Sequence, residues 1–202
     1  MSQTIVLASN NAGKITEFNA LLSGLGFDVK PQDDFDVPEA DETGLTFIEN
    51  AILKARNACA HTGLPALADD SGIEVDFLNG APGIYSARFA GDHGNNAANN
   101  TLLLKKLEGV DEQKRTARFH CVLAYLRHKD DPTPLVFHGV WEGRILTSTE
   151  GLEGFGYDPL FYVPECGCSA ASLPKEVKNQ ISHRAKALKQ LLAAFQQQSA
   201  SL

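Results

Sequence analysis

The residues best suited to chemistry are Asp69-Asp70-Ser71-Gly72, two adjacent carboxylates and a hydroxyl that follow the apolar run Ala66-Leu67-Ala68. Neighbouring carboxylates are hard to keep ionised without a cation, and Mg²⁺ is a hard ion that takes one or two carboxylates while keeping water. The pattern points to a metal site, with a solvated turn ending in Gly72 as the alternative. Glu42, just ahead of a helical segment, and Lys54, on the polar stripe of that segment, favour the metal.

A second group is Ser9-Asn10-Asn11-Ala12-Gly13-Lys14, between a strand and a helix. Unpaired N–H groups at a helix start carry partial positive charge, so a hydroxyl, two amides and a lysine there suit phosphate. The glycine spacing is not that of a Walker loop. The plain alternative is a connection in which Asn11 caps the helix and Lys14 is solvated. In Gly154-Phe155-Gly156-Tyr157-Asp158-Pro159 the glycines let backbone approach a flat ligand and the rings can wall a base, although many such loops only pack. Lys178 and Ser182-His183-Arg184 form the last group. With Ser182 as N-cap, His183 and Arg184 occupy a first helical turn, against the usual charge preference, which suits an external anion or a base edge. Arg118 and His120 could share one face of the long strand, which reads as a solvated or paired face and not a catalytic one, and the other histidines show no ligand spacing.

Elements must position these groups. A strand over Thr4 to Ala8 precedes a helix with Ile15, Phe18, Leu22 and Leu25 at helical spacing, then a strand over Phe27 to Lys30. The clearest helix carries Phe47, Ile48, Ala51, Ile52, Ala55, Ala58 and Cys59 on one face and Asn50, Lys54 and Asn57 opposite, with Gly63-Leu64-Pro65 to end it. A short strand over Ala66 to Ala68 delivers Asp69-Asp70-Ser71-Gly72 at its end, and another short strand covers Ile73 to Val75. A helix from Ala97 to Leu107 follows, then a long strand from Thr116 to Leu126 and an antiparallel partner from Leu135 to Trp141 across Lys129-Asp130-Asp131-Pro132. A strand over Leu160 to Val163 and a helix through Ala185, Leu188, Leu192 and Phe195 close the chain, leaving a frayed polar tail from about Gln196.

With 202 residues, 43% of them hydrophobic, the chain can bury a core as a single domain spanning 1–202, the middle section forming a second lobe over approximately 115–150. A net charge of −7 argues against a general nucleic-acid surface, so any phosphate site must be local. No segment has the roughly 20 apolar residues of a membrane helix, and no secretory leader is read. The scattered cysteines read as reduced thiols of a cytoplasmic protein.

Taken in order, these segments, with Glu42-Thr43-Gly44-Leu45-Thr46-Phe47-Ile48-Glu49-Asn50-Ala51, Lys54-Ala55-Arg56 and Gly80-Ala81-Pro82-Gly83-Ile84-Tyr85-Ser86-Ala87-Arg88, resemble the inosine triphosphate pyrophosphatase family, bacterial type. The resemblance implies an α/β fold, an elongated mixed sheet with flanking helices and two lobes around a central cleft, and a homodimer. It implies Mg²⁺-dependent hydrolysis of inosine, deoxyinosine and xanthosine triphosphates to the monophosphate and pyrophosphate. By position, Ser9, Asn10, Asn11, Ala12, Gly13 and Lys14 would hold phosphates, and Asp70 would accept a proton and bind metal with support from Glu42 and Asp69. Lys14 or Lys54 would stabilise the transition state. Ser71 would contact substrate, Phe155, Gly156, Tyr157, Asp158 and Lys178 would frame the purine, and His183 and Arg184 would read its 6-oxo edge. Two rivals are a non-catalytic nucleotide sensor, which has no need of the three carboxylates, and a phosphohydrolase with other products.

Overall fold

The computed structural model describes residues 2–199. The strands in chain order are β1 (Gln3–Leu7), β2 (Phe27–Pro31), β3 (Ala66–Val75), β4 (Pro82–Gly83), β5 (Thr116–Leu126), β6 (Leu135–Ile145), β7 (Phe161–Val163) and β8 (Cys168–Ser169). The α-helices are α1 (Ala12–Leu22), α2 (Phe47–Thr62), α3 (Asn96–Lys106), α4 (Lys175–Ile181) and α5 (His183–Ser199). The sheet is mixed and open, in the order β2-β1-β3-β5-β6-β7-β8, with β4 paired to β3. The α/β class and mixed sheet expected from the sequence are therefore present.

Two compact units divide the chain. One holds the residues up to Asp70, Val122–His138 and those from Ala187 onward; the other holds Ser71–Cys121 and Gly139–Lys186. The stretch 115–150 contributes to both.

In the first unit β1 runs parallel to both β2 and β3, pairing Val6 with Ala66 and Leu7 with Leu67. A parallel strand buried on both faces must be apolar throughout, and Ile5, Val6 and Leu7 are fully buried. Asn19 of α1 fastens its helix to β2, donating to the Val29 carbonyl at 2.8 Å and accepting from the Val29 N–H at 2.9 Å. Helix α2 buries Phe47, Ala51, Ala55, Ala58 and Cys59 of the face its periodicity predicts, but Ile48 of that face is 43% exposed, and Asn50, expected on the opposite stripe, is fully buried because it faces the chain leading into the helix. Gly63 ends it, donating to the Cys59 carbonyl at 2.9 Å. Phe195 of α5 packs on Phe27 and Tyr125, with ring centroids 4.9 Å and 5.0 Å apart.

In the second unit the core gathers Ile73, Val75, Leu103, Leu107, Phe119, Trp141, Leu160 and Phe161. Fully burying a side chain of this size contributes about 1.5–3 kcal/mol, so this cluster anchors the strands and loops around it.

Three expectations need correction. Asp69-Asp70-Ser71-Gly72 is not a turn: β3 runs unbroken from Ala66 to Val75, because pairing to β1 at its start and to β4 at Ile73 and Glu74 supplies backbone partners on both sides of the carboxylates. Helix α4, absent from the sequence reading, starts after Pro174, whose φ of −56° already suits a helix. The tail does not fray at Gln196: α5 continues to Ser199, since glutamine is a good helix former, and residues 200–202 lie outside the described residues. All four cysteines are free thiols.

Candidate active site

Successive residues of a strand face opposite sides, so an unbroken β3 sends Asp69 and Asp70 to different partners. In the first unit, Lys14 of α1 places its Nζ 2.7 Å from Asp69 Oδ1 and 2.9 Å from Oδ2. Lys54 of α2 places its Nζ 2.8 Å from Asp70 Oδ1 and 2.9 Å from Glu42 Oε1. Two helices thus each bring one ammonium to one carboxylate of the strand, and the acidic loop adds a third carboxylate. Asp69 and Asp70 are only 3% and 9% exposed.

Burial raises the pKa of the Asp70 carboxyl above its ordinary value, against the opposing pull of Lys54. Burial also works against the Lys54 ammonium, but Asp70, then Asp69 and Glu42, outweigh it and raise the pKa of Lys54. The geometry therefore favours a charged lysine beside a carboxylate that is basic for its kind, as an acceptor of a proton from water must be.

Asp70 Oδ2 is buried and has no hydrogen-bond partner among the described residues. No group of three or more metal-ligating side chains is gathered among the described residues. Magnesium needs fewer, since it commonly takes one or two carboxylates together with substrate phosphates and water. Asp70 and Glu42 already converge on one positive charge, and an oxygen of Asp70 is spare, so the donor set fits that ion.

The Ser9–Lys14 loop is built by local bonds. Asn11 caps α1, accepting from the Lys14 N–H at 3.1 Å, and Ser9 Oγ accepts from the Asn11 N–H at 3.2 Å. The plain reading of Asn11 as a cap is correct, but Lys14 is engaged by Asp69 and not merely solvated. Asn10 and Gly13 are exposed, and Ala12 opens the helix.

In the second unit, Asp158 is the hub. Its Oδ2 accepts from the Phe155 N–H at 2.7 Å and pairs with Lys178 of α4. Gly154 must lack a side chain there, since its φ is +84° and a Cβ would collide with the Asp158 carboxylate. Asn100 of α3 donates to the Gly156 carbonyl at 3.0 Å, and the Tyr157 hydroxyl donates to the Ser86 carbonyl at 2.8 Å. The loop is thus held at both ends while Phe155 itself stays 62% exposed. Lys178 Nζ lies 5.1 Å and the Arg184 guanidinium carbon 6.0 Å from the centre of its ring, distances at which a cation is drawn to an aromatic face. Ser182 caps α5, its Oγ accepting from the Ala185 N–H at 3.3 Å. His183 is buried, stacked 4.8 Å from Phe119 at 13° and 6.3 Å from Trp141 at 22°. Ser71 is half-buried on β3. Arg118 and His120 occupy a paired strand face, as expected, with Asp76 and Glu142 on the arginine and Glu74 3.2 Å from the histidine.

Two features that matter to these sites went unassigned in the sequence. Asn100 gave no signal, being one of a polar run. The Thr46-Phe47-Ile48-Glu49 start of α2 did, because it has capping-box spacing: Glu49 N–H donates to Thr46 Oγ1 at 3.2 Å, and Leu45 N–H to Glu49 Oε2 at 2.8 Å.

A mixed α/β sheet whose buried carboxylates meet lysines from two helices defines a protein built to hold cationic and anionic charge side by side. The model of the Ham1 family matches residues 5–194, and the chain belongs to that family. It is 59% identical over 194 residues to the dITP/XTP pyrophosphatase of Vibrio cholerae, covering 96% of this chain and 97% of that one. It is 60% identical over 196 residues to the protein of the same name from Vibrio parahaemolyticus, covering 97% and 98%. A solved HAM1 protein from Coxiella burnetii superposes with a TM-score of 0.93 at 49% identity, covering 96% of this chain and 99% of that one.

Proposed function

We infer that this chain is a hydrolase that cleaves inosine, deoxyinosine and xanthosine triphosphates to the monophosphate and pyrophosphate, clearing deaminated purines from the nucleotide pool. The observation that carries the reading is the convergence of Asp70 and Glu42 on Lys54 at 2.8 Å and 2.9 Å, in a chain about 60% identical to relatives named dITP/XTP pyrophosphatase. A nucleotide sensor has no use for a buried carboxylate with a raised pKa.

The cofactor we propose is Mg²⁺, held by Asp70 with support from Glu42 and Asp69; when bound it offsets phosphate charge. Asp70 takes the proton of the water that attacks the α-phosphorus. Lys14 and Lys54 stabilise charge on the phosphates, and Ser9, Asn10, Asn11, Ala12 and Gly13 hold them through the start of α1. Ser71 contacts substrate. Phe155, Gly156, Tyr157, Asp158 and Lys178 frame the purine, and His183 and Arg184 read its 6-oxo group. Donors aimed at a 6-oxo group meet another donor when the base carries a 6-amino group, which disfavours adenine. The chain works as one pyrophosphatase domain in a cytoplasmic homodimer.

The test is turnover of inosine triphosphate beside ATP and GTP, with Mg²⁺ or with chelator, and chromatography of the phosphorus products. Pyrophosphate and inosine monophosphate, made only with metal and much faster than the products of ATP or GTP, are expected. Orthophosphate, or equal rates on all bases, would overturn the reading.

A further inference from the structure

We propose that Asn50 is a positioning residue that sets Glu42 against Lys54 and so shapes the acidic group around Asp70. The inference rests on the reading of Glu42 as part of the metal-supporting cluster. Asn50 lies on α2 one turn before Lys54, on the same side of the helix, and is 0% exposed. Its Oδ1 accepts from the Gly44 N–H at 2.9 Å.

The contact is close. A Cβ on Gly44 would come within 2.6 Å of Glu49 Cβ and 2.7 Å of Asn50 Oδ1, so the backbone at Gly44 rests directly on α2. On the C-terminal side of Gly44, the Leu45 N–H is taken by Glu49; on the N-terminal side, the Thr43 N–H donates to the Asp41 carbonyl at 3.0 Å. The segment is strapped to the helix start. Glu42 stands two residues before the clamped glycine, and from there it reaches Lys54, which in turn holds Asp70.

Stability alone does not account for an asparagine at this position. Its Nδ2 is buried with no hydrogen-bond partner among the described residues, and a half-satisfied buried amide costs free energy that an apolar side chain of the same size would not. The amide is kept for what its oxygen holds.

The test uses the full chain and its variants Asn50→Ala, Gly44→Ala, Glu42→Gln and the double variant Asn50→Ala with Glu42→Gln. Two quantities are read beside melting temperature: kcat on inosine triphosphate, and Mn²⁺ affinity by electron paramagnetic resonance in the presence of an α,β-imido analogue of inosine triphosphate. Losing a residue that orients a ligand typically costs about 10- to 100-fold in metal affinity or activity. Asn50→Ala and Gly44→Ala are each expected to lose that much in both, and the double variant to do no worse than Glu42→Gln, since Asn50 acts through Glu42. Should Asn50→Ala fold poorly, Gly44→Ala tests the same contact from the other side.

Wild-type Mn²⁺ affinity and kcat in Asn50→Ala or Gly44→Ala, or losses that add fully to that of Glu42→Gln, would overturn the proposal. Should Glu42→Gln itself leave both quantities unchanged, the assignment of Glu42 fails and takes this inference with it. An impaired Glu42→Gln beside a silent Asn50→Ala removes the Asn50 role alone.

Discussion

Asp70 has what the proposed proton acceptor needs: burial, a raised pKa, one oxygen on Lys54 and one without a hydrogen-bond partner among the described residues. Asp70→Asn keeps the shape and removes the charge. Because general-base help is typically worth ~10²–10⁴ in rate, kcat should fall at least about 100-fold, with an unchanged circular dichroism spectrum. Turnover near wild type in that variant would remove the proposed base. Arg184 sits over the exposed ring of Phe155 and Lys178 over the same ring, so the aromatic platform is flanked by two cations. Arg184→Ala should narrow the ratio of kcat/KM between inosine triphosphate and ATP, with kcat on inosine triphosphate falling less than that ratio. An unchanged ratio would mean that Arg184 does not read the base.

At the scale of elements, the site depends on how helices are started and strands are closed. Helix α2 begins at a capping box and carries Asn50 and Lys54 one turn apart, so its rotation sets where the lysine points. The connection from β5 to β6 shows another device. Arg127 pairs with Asp131, whose carboxylate also accepts from the N–H groups of Arg127 and Thr133, each at 3.0 Å. The Arg127 hydrogen bonds, opposed by burial and helped by those backbone groups, hold the Asp131 carboxyl far below the usual carboxylate range. A depressed folded-state pKa contributes stability that is complete above the unfolded value of about 3.9 and fades as the pH falls toward the folded one. Asp131→Asn should therefore melt lower than wild type at pH 7, and the difference should shrink as pH falls below about 4. An equal gap at pH 7 and pH 2.5 would show that the turn does not depend on this charge. Much at this scale was legible in the sequence: the start of α2 at Phe47 and both ends of β5 agree with the periodicity, because apolar spacing and alternation are local signals. Helix α4 was not, since seven residues give too short a period to read.

For the molecule as a whole, the proposed function has a nucleotide with its metal binding the folded chain and not the unfolded one, so both together should raise the melting temperature. At a ligand concentration of 100 Kd the linkage is worth about 2.7 kcal/mol, which for a chain of this size is about 5–10 °C. The shift should appear with the α,β-imido inosine analogue and Mg²⁺ and vanish with chelator. No shift with the analogue and metal would count against a nucleotide site anywhere in the fold.

The sequence by itself determined which groups carry charge and where the longer helices lie, because composition and apolar spacing act over a few residues. It placed Lys14, Glu42, Lys54, Asp69 and Asp70 among the candidates before any of their partners were known. Only the tertiary structure decided how they meet. Lys14 and Asp69 are separated by 55 positions, and their ion pair exists because β1 lies parallel to β3 and brings the start of α1 to that strand. Running β3 through the two carboxylates, where local sequence reads as a turn, was likewise decided by strand partners far away in the chain. A strand alternates its side chains and a turn does not, and that alternation is what gives each aspartate its own lysine.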